Sequence, residues 1–110
     1  ILVGSITTLT SLDFLGFGTK TNDVQEYVQK GAIILDVRTP AEFKDGHIKG
    51  SKNIALQTLN GQVETIKKWN KPVIACCKSG MRSAQATSIL KQNGIDCING
   101  GGWTSLENKL

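Results

Sequence analysis

Val73-Ile74-Ala75-Cys76-Cys77-Lys78-Ser79-Gly80-Met81-Arg82-Ser83 runs from an unbroken apolar stretch, through a short polar loop, into a segment of helical character. A continuous apolar run of this length, containing β-branched residues, suits a strand buried on both faces. Pro72 marks its start. From Ser83 to Asn93 the apolar residues Ala86, Ile89 and Leu90 recur at helical spacing, and Gly94 closes the helix. The stretch therefore predicts a strand ending at a thiol, a tight loop over Lys78-Ser79-Gly80-Met81, and a helix start.

Upstream, Ala32-Ile33-Ile34-Leu35-Asp36-Val37 reads as a second buried strand. Thr39-Pro40-Ala41-Glu42 opens a short helix, with Thr39 as cap, Pro40 in the first helical position and Glu42 closing a capping box. Gly46 ends that helix, and Asn53-Ile54-Ala55-Leu56 is a short strand. Nearer the start, Asn22 caps a helix that presents Val24, Tyr27 and Val28 on one face and stops at Gly31. A helix over 61–69 turns Val63 and Ile66 inward. Downstream, Ile95-Asp96-Cys97-Ile98 is a strand, Gly100-Gly101-Gly102 turns the chain, and Trp103 to Leu110 form a last helix. Strands alternating with helices predict an α/β domain with a mainly parallel sheet. Open sheets of this type bind ligands at the carboxyl ends of their strands, where Cys77 sits.

The chain has 110 residues, enough for one domain with a core of its own. Its net charge of +4 is spread out, with Lys67-Lys68 the longest basic run, and aromatic residues make up 5%. This is a solvated basic surface rather than a nucleic-acid footprint. The cysteines are Cys76, Cys77 and Cys97, an odd number without a C-x-x-C pair, and His47 is the single histidine. That argues against a disulfide framework and against structural zinc, and leaves thiol chemistry. Residues 1–18 are fairly apolar, carry one charge, Asp13, and are rich in Thr and Ser. They are weak as a membrane span and lack the positive start of a signal peptide. The expected division is an arm over 1–20 and a domain over 21–110, with no membrane association for the latter. A monomer in the cytoplasm is expected, membrane-tethered or periplasmic if residues 1–18 end an anchor.

A helix start offers unpaired N–H groups and partial positive charge. Gly80 lets the loop curl so that several N–H groups point inward, and Lys78 and Arg82 add positive charge. Such surroundings favour thiolate over thiol, and the thiolate is the nucleophile. Cys77 thus reads as a cradled thiolate that attacks or holds an anionic centre. It also reads as an ordinary buried strand cysteine, which is common.

Two stretches resemble the rhodanese-homology family. One is Asp36-Val37-Arg38-Thr39-Pro40-Ala41-Glu42-Phe43, continuing through Gly46-His47-Ile48-Lys49-Gly50-Ser51-Lys52-Asn53-Ile54. The other is Cys77-Lys78-Ser79-Gly80-Met81-Arg82-Ser83, followed by a helix and Gly101-Gly102. The resemblance implies a three-layer α/β sandwich with a mainly parallel five-stranded sheet flanked by helices. It implies a sulfurtransferase in which Cys77 is catalytic and Lys78, Ser79, Gly80, Met81, Arg82 and Ser83 bind substrate. The donor is a small anion such as thiosulfate, preferred over mercaptopyruvate because Lys78 and Arg82 flank the nucleophile. The acceptor is thiophilic: cyanide, a thiol or an acceptor protein. No metal or organic cofactor is implied. Residues 1–20 carry no family pattern where the usual first strand would fall, Trp103 follows the glycines directly, and Met81 replaces a residue that is often polar.

Three other functions stay open: a sulfur carrier serving a partner pathway, a non-catalytic binding module, and a phosphatase or arsenate reductase on the same fold. The last use five residues between Cys and Arg, whereas Lys78 to Met81 make a smaller cradle. Elsewhere, Asp36 and Arg38 read as an ion pair fixing a strand end, and His47 as a packed, hydrogen-bonded residue beside Ile48. Glu42 reads as a cap, Trp69 and Trp103 as packing residues, and Cys97 as core. Cys76 points to the opposite sheet face from Cys77 and reads as buried structure.

Overall fold

The computed structural model describes residues 21–110. The arm expected over 1–20, and any fifth strand within it, lie outside the described residues. In chain order the elements are α1 (Thr21–Gln29), β1 (Ile33–Asp36), α2 (Pro40–Asp45) and β2 (Lys52–Asn53). A 3-10 segment over Leu56–Gln62 leads into α3 (Val63–Trp69), then β3 (Val73–Cys77), α4 (Met81–Gln92), β4 (Cys97–Gly102) and α5 (Trp103–Glu107).

The sheet has four strands among the described residues, in the order β2-β1-β3-β4, every pair parallel. β3 lies inside and all five of its residues are buried, as its unbroken apolar sequence requires. Alternation along β3 splits the core in two. Val73, Ala75 and Cys77 face one side with Leu35, Val37 and Cys97, covered by Val63 and Ile66 of α3 and Ala86 and Leu90 of α4. Ile74 and Cys76 face the other side, covered by Val24 of α1, Ile48 and Leu106 of α5. This is the three-layer α/β sandwich the sequence predicts, and it puts Cys76 and Cys77 in different cores.

α2 is built as its sequence reads. Thr39 Oγ1 accepts from the Glu42 N–H at 3.2 Å, and the Glu42 carboxylate accepts from the Thr39 N–H at 3.1 Å, with Pro40 in the first turn. A cap of this kind contributes about 1 kcal/mol.

Several boundaries move. α1 begins at Thr21 and contains Asn22, which the sequence places at the cap, and Val28 on its expected apolar face is exposed. The helix expected over 61–69 is a 3-10 segment up to Gln62 and α only from Val63. β2 is Lys52–Asn53, earlier than expected, because Ile54 and Leu56 instead send their N–H groups to the Asp36 and Val37 carbonyls as the chain leaves the sheet. α4 starts at Met81, two residues before Ser83.

The largest correction is the glycine triplet. Gly100-Gly101-Gly102 does not turn the chain; it completes β4. The register against β3 shifts between Ala75 and Cys76, so that Gly101 pairs with Cys76 and Gly102 with Cys77. The extra residue, Gly100, is buried: a Cβ there would stand 2.7 Å from Ile74 Cγ2 and 2.9 Å from Leu106 Cδ2. A bulged strand packed this closely accepts no side chain at that position. No helix among the described residues is long and apolar enough to cross a membrane.

Candidate active site

Cys77 is the last residue of the central strand, and α4 begins four positions later. The turn between them rests on Gly80, whose φ of 102° lies in the left-handed region open to glycine. That conformation turns the Gly80 N–H back onto the Cys77 sulfur at 3.0 Å. The Ser83 N–H points at the same atom from 3.4 Å, and Ser83 Oγ lies 3.4 Å away. Gly80 also starts the helix, its carbonyl accepting from the Ala84 N–H at 3.0 Å. β4 presses against this loop from below. A Cβ on Gly102 would stand 2.8 Å from the Lys78 carbonyl oxygen.

Burial acts to raise the Cys77 pKa, and Cys77 is fully covered. The hydrogen-bonding groups of Ser83, side chain and backbone, together with the N–H groups of Gly80 and Ser79, act against burial and outweigh it, so the net shift is downward. The two other thiols go the opposite way. Burial, aided by the nearby Asp36 charge, pushes Cys76 up to about 12, and burial pushes Cys97 up to about 11. One thiol of the three is therefore prepared to ionise, and it is the one at the strand end.

The remaining loop residues sit as follows. Lys78 and Ser79 are exposed, and Met81 is 74% exposed on the outer side of the turn. Ser83 is buried. Arg82 is turned toward α2, where its Nη1 and Nη2 donate to the two Glu42 carboxylate oxygens at 2.8 and 3.1 Å. The sequence assigns Glu42 to a cap; it holds that cap and also fixes Arg82. The hydrogen bonds from Arg82 first, then those from Thr39, lower the Glu42 pKa to about 2.

Asp36 and Arg38 form a buried bidentate pair whose shortest contact is 2.7 Å. Arg38 Nη2 also donates to the Gly46 carbonyl at 2.6 Å, and its guanidinium lies 4.8 Å from the Trp103 ring centroid. This is the ion pair the sequence predicts, tying the end of β1 to α2 and α5. His47 stacks on Phe43 with centroids 3.7 Å apart, and its Nδ1 lies 2.7 Å from the Phe43 carbonyl, which makes Nδ1 the protonated nitrogen. Trp69 packs against the first core and faces Lys52, while Cys97 lies in the core beside Thr87. Among the described residues no three His, Cys, Asp or Glu side chains gather to hold a metal.

Sequence reasoning missed Asn99. Its Oδ1 accepts from Ser83 Oγ at 2.6 Å and from the Gly101 N–H at 2.9 Å, and its Nδ2 donates to the Gly80 carbonyl at 3.1 Å. It thus joins β4 to Gly80 and Ser83, two of the residues that reach the Cys77 sulfur. The available signal is a polar residue between Ile98 and three glycines, on the strand neighbouring β3.

Comparison with known proteins places these features in context. The family described as Rhodanese-like domain matches residues 20–109. The chain is 41% identical over 63 residues to the protein YqhL of Bacillus subtilis, a match covering 57% of this chain and 49% of that protein, so it spans about half the length of that relative. It is 33% identical over 82 residues to the thiosulfate sulfurtransferase GlpE of Pseudoalteromonas translucida, covering 72% of this chain and 76% of that one. Among solved structures, a rhodanese-related protein of Thermoplasma volcanium superposes with a TM-score of 0.68 at 30% identity, covering 84% of this chain and 91% of that chain.

Proposed function

The chain belongs to the rhodanese-like domain family, and we propose that it acts as a sulfurtransferase that carries sulfane sulfur as a persulfide on Cys77. The observation that supports this most is the Cys77 sulfur at the carboxyl end of the central strand, with the Gly80 N–H 3.0 Å away and the Ser83 N–H 3.4 Å away. Hydrogen bonds to a charged sulfur are worth about 1.5–3 kcal/mol each. They stabilise a thiolate before transfer and a persulfide anion after it. They are preorganised, because the loop is pinned by Gly80 and by β4 beneath it.

In the first step the Cys77 thiolate attacks the outer sulfur of thiosulfate. A sulfur–sulfur bond forms to Cys77, the bond between the two thiosulfate sulfurs breaks, and its electron pair leaves with sulfite. In the second step cyanide or a thiolate attacks the outer sulfur of the persulfide and returns Cys77 as thiolate. Neither step changes the total charge or needs an external oxidant. Because Cys77 is fully covered, entry of the donor requires the loop side chains to move aside. Lys78 stands exposed at the mouth of that loop, whereas the Arg82 charge is opposed by Glu42. Attraction of a dianion therefore falls to Lys78 and the start of α4. This favours thiosulfate over mercaptopyruvate as donor. Residues 1–18 take no part in this scheme, and a chain lacking them is expected to transfer sulfur.

The test is the intact mass of the protein after incubation with thiosulfate. A gain of one sulfur atom, lost on adding cyanide and absent from Cys77→Ser, is expected. No gain in the wild-type protein, or a gain retained in Cys77→Ser, overturns the proposal. The first of these results would leave a non-catalytic binding module.

A further inference from the structure

The Ser83 hydroxyl has one proton and two neighbours that can use it, the Cys77 sulfur at 3.4 Å and Asn99 Oδ1 at 2.6 Å. The orientation of the Asn99 amide is fixed from both ends. Turning it over would set its NH2 against the Gly101 N–H and its oxygen against the Gly80 carbonyl, where it now accepts and donates respectively. Its oxygen therefore faces Ser83 as an acceptor, and at 2.6 Å the proton between them can come only from the serine. Ser83 is fully buried, so no solvent competes for that proton.

We propose that Asn99 is a positioning residue that competes with Cys77 for the hydroxyl proton of Ser83, limiting how far the resting protein favours the thiolate and releasing the proton to the sulfur when Cys77 ionises or carries a persulfide. In the resting state Ser83 donates to Asn99 and turns lone pairs toward Cys77. That suits an S–H, which can donate to the serine oxygen, and disfavours a thiolate, which cannot. When the Cys77 proton leaves to solvent, the hydroxyl rotates about the Ser83 Cβ–Oγ bond and donates to the sulfur. Asn99 Oδ1 then keeps its Gly101 N–H and is not stranded. The backbone donors of Gly80 and Ser83 reach the sulfur in either state; the side-chain donor arrives only when the charge does. The inference rests on Cys77 being the reacting thiol. Among the described residues the charged and titratable groups around it are Arg82 of α4 with Glu42 of α2, Asp36 and Arg38 at the end of β1, Cys76 of β3 and Lys78 of the loop. Replacing Asn99 alters none of them.

The experiment follows the rate of Cys77 alkylation by iodoacetamide against pH, located by peptide mass spectrometry, with folding monitored by circular dichroism. It needs no sulfur transfer, so it can fail while the proposed activity stands, and it can be read even if thiosulfate never loads the protein. Asn99→Leu removes the competing acceptor. The alkylation midpoint should fall by about one pH unit, the worth of one hydrogen bond, with about tenfold faster alkylation below the midpoint. Ser83→Ala alone should raise the midpoint by less than about one unit, because in the wild-type protein the gain at sulfur is partly offset by the loss at Asn99. The double variant should return to the Ser83→Ala value. An unchanged or raised midpoint in Asn99→Leu, or the same fall in the Ser83→Ala background, overturns the proposal. Should Asn99→Leu fail to fold, Ser83→Ala decides alone. A rise of about one unit or more would mean that the serine already gives its proton to the sulfur at no expense, and would overturn the proposal; a smaller change supports it.

Discussion

Replacing Arg38 by Met should separate the stability of this domain from its chemistry. Asp36 is fully buried and Arg38 is 4% exposed. Nε donates to both carboxylate oxygens at 2.9 and 3.0 Å, and Nη2 donates to Oδ2 at 2.7 Å and to the Gly46 carbonyl at 2.6 Å. After Arg38→Met the Asp36 carboxylate keeps the backbone N–H of residue 38, at 3.0 Å in the wild-type protein, but loses its counter-charge. The Gly46 carbonyl loses its side-chain donor, and Trp103 loses the guanidinium beside its ring. Removing one partner of a buried pair costs about 3–5 kcal/mol because the other charge is left buried and unpaired. For a domain of this size that corresponds to a fall in Tm of at least about 12 °C. Urea titration and thermal melting measure it, and the sulfur gained per folded molecule from thiosulfate measures the chemistry. The expected outcome is a large loss of stability with full sulfur loading of the folded fraction. Asp36→Leu combined with Arg38→Met should recover part of the loss, since it removes the stranded charge. A single-variant cost under about 1 kcal/mol would refute the burial argument. A stable Arg38→Met protein that no longer loads sulfur would move Arg38 from scaffold to substrate site.

Three further outcomes follow from the same geometry. Glu42 has its pKa depressed from an ordinary 4.5 to about 2, so its contribution to stability is complete above about 4.5 and is lost as the pH falls toward about 2; Glu42→Gln should flatten the acid limb of the stability curve in that window, and an unchanged limb would count against the Arg82 pairing. Cys76→Ala should cost on the order of 1 kcal/mol in urea titration while leaving sulfur loading intact, and Cys76, with its pKa pushed up to about 12, should stay unalkylated at neutral pH in the folded protein. Gly102→Ala puts a Cβ 2.8 Å from the Lys78 carbonyl, a backbone atom of the loop, and should cost roughly 1–3 kcal/mol and slow sulfur loading as the loop is displaced; normal loading kinetics would show that the loop position is not critical.

The parts of the site that act on the sulfur are local in sequence, and for that reason they could be read there. Cys77, Gly80 and Ser83 lie within one strand–loop–helix unit, and the φ of Gly80 and the helix start together aim two N–H groups at the sulfur. The hidden parts are those that depend on which elements meet. Glu42 follows its cap motif in sequence, but its grip on Arg82 spans 40 positions and exists because the fold brings the start of α2 within side-chain reach of the start of α4. Asn99 reaches Ser83 because β4 pairs with β3 in one register, Asn99 opposite Ala75, and slips by one residue immediately afterwards. A run of three glycines carries no alternation from which a register could be read, and it looks like a turn. Here the want of side chains is what lets the strand continue under the loop, with Gly100 bulged against Ile74 and Gly102 below Lys78. That same contact brings the Asn99 amide within reach of the Gly80 carbonyl and the Ser83 hydroxyl. The reactive group therefore comes from one segment and its tuning from another, and a substitution in β4 can change how readily Cys77 ionises without touching any residue of the loop.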